Sequence, residues 1–91
     1  MLSYNPELNL FMPEKKYATE LIEFGEKIKK LRDEKGLTQE QLAELSGINE
    51  KTIRRIESGK YSAGLEILFA LAKGLGILPY KLLKGINLEM K

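Results

Sequence analysis

An all-α fold is predicted for this 91-residue chain from three observations. Leu, Lys and Glu fill 40 positions and Val none, a balance of straight-chain over β-branched residues that favours helices over strands. Apolar residues recur at three- and four-residue steps, the period of an amphipathic helix. Glycines at 36, 47, 59 and 85 punctuate those stretches as helix stops. A mass of 10.4 kDa leaves room for one core, and 27 residues of Leu, Ile or Phe suffice to drive folding.

Each element follows in order. Residues 1–16 carry two prolines and two asparagines, and Pro6 and Pro13 push the residue before each out of helical geometry, so this stretch is read as an extended arm. Over 17–35, Leu21, Phe24, Ile28 and Leu31 form one stripe of helix 1, ended by Gly36. Thr38 followed by Gln41 fits a capping box, and Leu42, Ala43 and Leu45 give helix 2 its inward face up to Gly47. Asn49 is the expected cap of helix 3, whose only apolar residues before Gly59 are Ile53 and Ile56. Residues 65–75 are apolar almost all round, the pattern of a helix 4 buried against more than one neighbour. Pro79 with Leu82 and Leu83 predicts a short helix 5 closed by Gly85. The expected organisation is an arm over 1–16, a five-helix domain over 17–85 and a tail over 86–91.

Composition removes several function classes. With neither Cys nor His, disulfides, cysteine or histidine nucleophile pairs and the usual zinc sites are excluded. No phosphate-cradling glycine loop and no room for a substrate cleft are present, so neither an enzyme nor a cofactor is expected. The start of the chain lacks the basic-then-apolar layout of a signal peptide, and no apolar run reaches bilayer length. A cytoplasmic protein without membrane contact is the expectation. A net charge of +2 is no nucleic-acid signature in total, so the placement of charge has to carry that inference.

Two short helices around a turn containing Gly47, the second with a core stripe of two residues, have the layout of a helix-turn-helix unit. Ile53 and Ile56 set the inward direction of helix 3, which puts Glu50, Lys51, Arg54, Arg55 and Ser58 on the opposite face. Such a face can enter a major groove, where Arg offers paired donors to guanine O6 and N7, Lys acts as a point charge, and Glu50 can accept from cytosine N4. Over 48–61 the bases Lys51, Arg54, Arg55 and Lys60 outnumber Glu50 and Glu57, whereas acids and bases balance along helix 1.

Residues 25–83 resemble the phage-repressor type of helix-turn-helix domain, the XRE or Cro/C1 family, over about two thirds of the chain. The resemblance rests on Leu31 and Arg32; Gly36, Leu37, Thr38 and Gln39; Leu42 and Ala43; Gly47 and Ile48; Ile53; Ile56, Glu57, Ser58, Gly59 and Lys60; and Leu71, Ala72, Lys73, Leu75 and Gly76. It implies a lambda-repressor-like fold and a sequence-specific regulator of transcription, a repressor acting by occlusion, that binds double-stranded DNA as a homodimer. It also implies that Gln39 bonds a phosphate and steadies Glu50. By the same resemblance Glu50, Lys51 and Arg55 read bases with Arg54 beside them, and Thr38, Thr52, Ser58, Lys60 and Tyr61 join Gln39 on the sugar-phosphate backbone. Arg32 and Glu57 match an ion pair tying helix 1 to the end of helix 3.

Ala63 and Gly64 replace the family's usual Pro and Ser before helix 4, and Ile67 and Ala70 stand where relatives are often polar. That extra apolar area, with Phe69 and helix 5 or the tail, is read as a dimer surface. Leu8, Leu10, Phe11 and Met12 of the arm are open to three readings: a disordered leader, a cover for that surface, or a contact with a protein partner. An antitoxin-type interaction module with autoregulatory DNA binding is therefore the alternative. The small controller proteins of restriction-modification systems also resemble this chain in size and layout.

Overall fold

The computed structural model describes residues 2–6, 10–13 and 17–88. Four α-helices, α1 (Ala18–Glu34), α2 (Gln39–Ser46), α3 (Glu50–Glu57) and α4 (Leu65–Leu75), are followed by a 3₁₀ turn at Pro79–Leu82. Two short strands, β1 (Leu2–Asn5) and β2 (Leu10–Pro13), precede them.

Local chemistry sets the helix ends. The Thr38 hydroxyl accepts from the Gln41 N–H at 3.0 Å while the Gln41 side chain accepts from the Thr38 N–H at 2.8 Å, a reciprocal cap that starts α2. Asn49 Oδ1 accepts from the Lys51 N–H at 2.8 Å and starts α3. Between them Gly47 holds φ +73°, a left-handed conformation that costs a residue bearing Cβ about 1–2 kcal/mol. The turn it makes returns the Ile48 N–H to the Ala43 carbonyl at 3.1 Å and buries Ile48.

One core follows, built from Phe24 and Ile28 of α1, Leu42 and Ala43 of α2, Ile48 of the turn, Ile53 and Ile56 of α3, Leu71, Ala72 and Leu75 of α4, and Leu82. Each fully buried Ile or Leu contributes roughly 1.5–3 kcal/mol. Within this core α2 packs on α4 and α1 on α3, and a glycine sits at each crossing. A Cβ on Gly25 would lie 2.3 Å from the Ile56 carbonyl oxygen and 2.8 Å from that of Glu57, so α1 meets the end of α3 backbone to backbone. A Cβ on Gly74 would lie 2.9 Å from Ser46 Cβ, bringing α4 as close to α2.

The structure departs from the sequence reading at four places. The described residues of the proline-bearing arm are not helical, but their backbone groups pair with each other. β1 and β2 form an antiparallel ribbon with Leu2 opposite Pro13 and Asn5 opposite Leu10, so the chain is not wholly α. Leu8 lies outside the described residues, and Leu10, Phe11 and Met12 fall within β2. The predicted fifth α-helix is a 3₁₀ turn that buries Leu82 and leaves Leu83 exposed, because one tight turn aims adjacent side chains apart. Leu45 is 54% exposed; the inward arc of α2 runs through Gln39, Leu42, Ala43 and Ser46, and Leu45 falls beside it. As expected, α4 packs against more than one neighbour, α2 and the 3₁₀ turn, and it leaves Leu65 68% and Phe69 56% exposed, the latter on the side read above as a dimer surface. Ile86, assigned above to the tail, packs against the core. No helix among the described residues is long and apolar enough to cross a membrane.

Gly25→Ala is expected to lose about 1–3 kcal/mol in urea unfolding, because backbone atoms at the crossing cannot yield to a methyl group. Gly36→Ala, with no atom within 4 Å of its Cβ, should lose only the cost of its left-handed φ, about 1–2 kcal/mol. An unchanged midpoint for Gly25→Ala would rule out the crossing.

Candidate nucleic-acid interface

The outer face of α3 is set by what its inner face buries. Ile53 and Ile56 are fully enclosed, which leaves Lys51, Arg54, Arg55 and Ser58 exposed and Glu50 and Thr52 half-buried. Glu50 in the first turn and Arg54 and Arg55 in the last turn each complement the helix dipole.

A buried ion pair fixes the end of this helix. Arg32 is 8% exposed and donates from Nε to Glu57 Oε2 at 2.7 Å and from Nη2 to Oε1 at 3.0 Å, the two-pronged geometry a guanidinium offers a carboxylate. Its Nη1 donates to the Leu37 carbonyl at 2.7 Å and stands 3.3 Å from Asp33. The Glu57 side chain is 4% exposed and accepts a third bond, from Gln39 Nε2 at 3.1 Å. Four segments thereby meet at one ion pair: the last turn of α1 through Arg32, the loop after it through the Leu37 carbonyl, the first residue of α2 through Gln39 and the last of α3 through Glu57. Hydrogen bonds to Glu57 raise the Arg32 pKa above its ordinary value against the opposing effect of burial, and the charges of Glu57 and Asp33 add to the rise. Stability of that sign is in place below the ordinary arginine pKa and is lost only above it, so the guanidinium stays charged wherever the protein is handled.

The remaining sequence-predicted residues fall around this frame. On the surface of α3, Arg54 Nη2 donates to Glu50 Oε2 at 2.7 Å, one helical turn apart. Of the four side chains predicted to read bases, Lys51 and Arg55 alone have no side-chain partner among the described residues. Gln39 donates to Glu57, a partner that the resemblance does not name for it. Thr38 is exposed; its oxygen serves the cap and its hydroxyl hydrogen remains available. The Ser58 hydroxyl donates to the Arg55 carbonyl at 2.9 Å. Lys60 is exposed and Tyr61 half-buried against the core, just past Gly59, where a Cβ would meet Ile22 of α1 at 2.8 Å. Sequence reasoning missed Gln39 and the Leu37 carbonyl as members of the Arg32–Glu57 network; only the nearness of both to Gly36 hinted at it. Among the described residues no cluster of acidic side chains is arranged to hold a metal ion.

Away from α3, an apolar groove of about 390 Å³ lies among Tyr17, Leu21, Phe24, Leu68, Leu83 and Ile86. Leu65, Phe69, Leu78 and Tyr80 are further exposed apolar side chains on α4 and the segment after it.

Residues 28–82 match the helix-turn-helix family. The chain is 40% identical over 67 residues to the HTH-type transcriptional activator BcrR of Enterococcus faecalis, a match covering 74% of this chain and 33% of that protein. It thus spans about a third of that relative's length. Among solved structures it is similar to the restriction-modification controller protein C.AhdI from Aeromonas hydrophila, with a TM-score of 0.69 and 38% identity over 70% of this chain and 97% of that one. The controller protein C.Esp1396I, solved as a tetramer on its natural 35 base-pair operator, gives a TM-score of 0.68 and 31% identity, covering 74% of this chain and 88% of that one.

Removing one partner of the buried pair should be costly. Glu57→Ala leaves a guanidinium enclosed without its acceptor and is expected to lose about 3–5 kcal/mol in denaturant unfolding. The Arg32→Ala, Glu57→Ala cycle should return a coupling of about 1–3 kcal/mol, and additive losses would show the pair to be idle.

Proposed function

The chain belongs to the helix-turn-helix family of DNA-binding transcriptional regulators, and from that membership and the geometry of α3 we propose that it is a cytoplasmic regulator recognising a specific duplex sequence as a homodimer. The observation that carries this reading is the outer face of α3. It holds Lys51 and Arg55, which have no side-chain partner among the described residues, while each acid of the helix, Glu50 and Glu57, is already matched to an arginine. A face of that charge, about one helix wide, suits the major groove.

In this reading residues 17–85 form the DNA-binding unit, with the arm before them and the tail after. Arg55 donates in parallel to guanine O6 and N7, and Lys51 meets a guanine or a phosphate. Glu50 and Arg54 lie at the same groove. Around them Thr38, Gln39, Thr52, Lys60 and Tyr61 contact the sugar-phosphate backbone, Gln39 through the amide hydrogen that Glu57 leaves free. Ser58 joins them only by turning its hydroxyl away from Arg55.

One such unit covers too few base pairs for useful selectivity. Two, with α3 helices about 34 Å apart in successive major grooves, read a palindrome. The exposed Leu65, Phe69, Leu78 and Tyr80 supply apolar area for the two-fold contact. Occupancy of a promoter by the dimer represses by excluding polymerase. Activation by contact with polymerase is the second reading, favoured by similarity to a named activator.

Selection from random duplex DNA at stated salt tests the proposal: a palindromic consensus is expected, and failure to enrich any sequence would overturn it. Against that consensus, Arg55→Ala and Lys51→Ala should each weaken binding by about 1–3 kcal/mol and relax preference at particular base pairs. An equal loss on random DNA would reassign both to phosphate. Lys60→Ala should reduce the salt slope of log affinity by about one unit, and an unchanged slope would remove Lys60 from the backbone contacts.

A further inference from the structure

Glu50 presents a difficulty for a DNA-reading face: a carboxylate approaching a polyanion is repelled, and unlike Gln or Asn it cannot donate. Its geometry resolves the difficulty. Glu50 Oε2 accepts from Arg54 Nη2 at 2.7 Å, and Oε1 carries no hydrogen bond from the described residues. Arg54 uses one of five N–H donors in that contact, and both side chains reach solvent. The pair therefore projects, side by side, an open acceptor and a set of open donors, with the carboxylate charge already balanced.

We infer that Glu50 and Arg54 act as a single specificity-determining unit that selects a C·G pair, an inference that rests on the proposed DNA reading of α3. A C·G pair presents the amino group of cytosine N4 beside the O6 and N7 acceptors of its guanine. Glu50 Oε1 accepts from N4, and the Arg54 guanidinium donates to the guanine. Reversing the pair brings O6 and N7 against the carboxylate, acceptor facing acceptor. Thymine O4 in that position is rejected for the same reason. The carboxylate acts mainly by exclusion, since selectivity comes from what a site repels as well as from what it binds. The guanidinium keeps the carboxylate in place, because Glu preceding Arg by four residues is the favourable order on a helix. Lys51 and Arg55, which lack such partners, read other base pairs independently.

Parallel selections of bound duplexes with wild-type protein, Glu50→Gln, Arg54→Ala and the double variant test this. Glu50→Gln should reduce the preference for C·G at one position of each half-site by roughly tenfold, the scale of one good base contact, and leave other positions unchanged. Arg54→Ala should relax the same position, and the double variant should be no more relaxed than the worse single one. Circular dichroism should match wild type and unfolding midpoints should fall only slightly, because each variant loses no more than a solvent-accessible ion pair and a helix-dipole contact. Relaxation at two different positions would overturn the unit, as would an unaltered consensus. Uniformly tighter binding of Glu50→Gln to every duplex would do the same, marking the acid as a general electrostatic brake. If wild-type protein enriches no duplex at all, it is the DNA reading that fails.

Discussion

An eight-residue helix held to the core by two isoleucines can still roll about its own axis, and such a roll would turn Lys51 and Arg55, which share one face, away from a groove together. The Glu57 carboxylate removes that freedom. It is the last residue of α3, it is buried, and it accepts from Arg32 in two places and from Gln39 in a third. Gly25 adds a second constraint at the same point, since α1 passes so near the Ile56 and Glu57 carbonyls that no larger residue fits. With Asn49 capping the other end, α3 is fixed at both termini and along its inner face.

The same arrangement decides how charge is distributed. A net charge of +2 is too small to draw the chain to DNA, and helix 1 carries acids and bases in equal number. On α3, one acid is turned inward to Arg32 and the other is held by Arg54. What the helix shows to solvent is thus more basic than its composition. Attraction of that local kind falls off within about 8–10 Å at physiological salt, so it acts on a groove already in contact and contributes little at long range.

Much of this was legible in the residues. Caps and glycines announce themselves chemically, so the end of α1 and both ends of α2 and α3 fall within about two residues of where Gly36, Thr38, Gly47, Asn49 and Gly59 imply. The outward direction of α3 followed from its two isoleucines. Leu45 and Leu83 were misjudged because hydrophobicity states what a side chain would prefer and not which neighbour is there to cover it. The β1–β2 ribbon escaped because prolines exclude helix without saying what extended backbone pairs with. Gly25 and Gly74 gave no signal, since close approach of two helices is a property of tertiary packing. The Gln39–Glu57 bond joins residues 18 apart, a separation that carries no local pattern.

Amide chemical shifts of isotopically labelled protein, followed while a selected duplex is titrated in, test the central claim most directly. If α3 presents the DNA-binding face, perturbations concentrate at Thr38, Gln39 and residues 50–61, and the exposed flank of α1 around Lys29 and Lys30 stays silent. Shifts clustered on α4 and the segment after it, with α3 unmoved, would contradict the account.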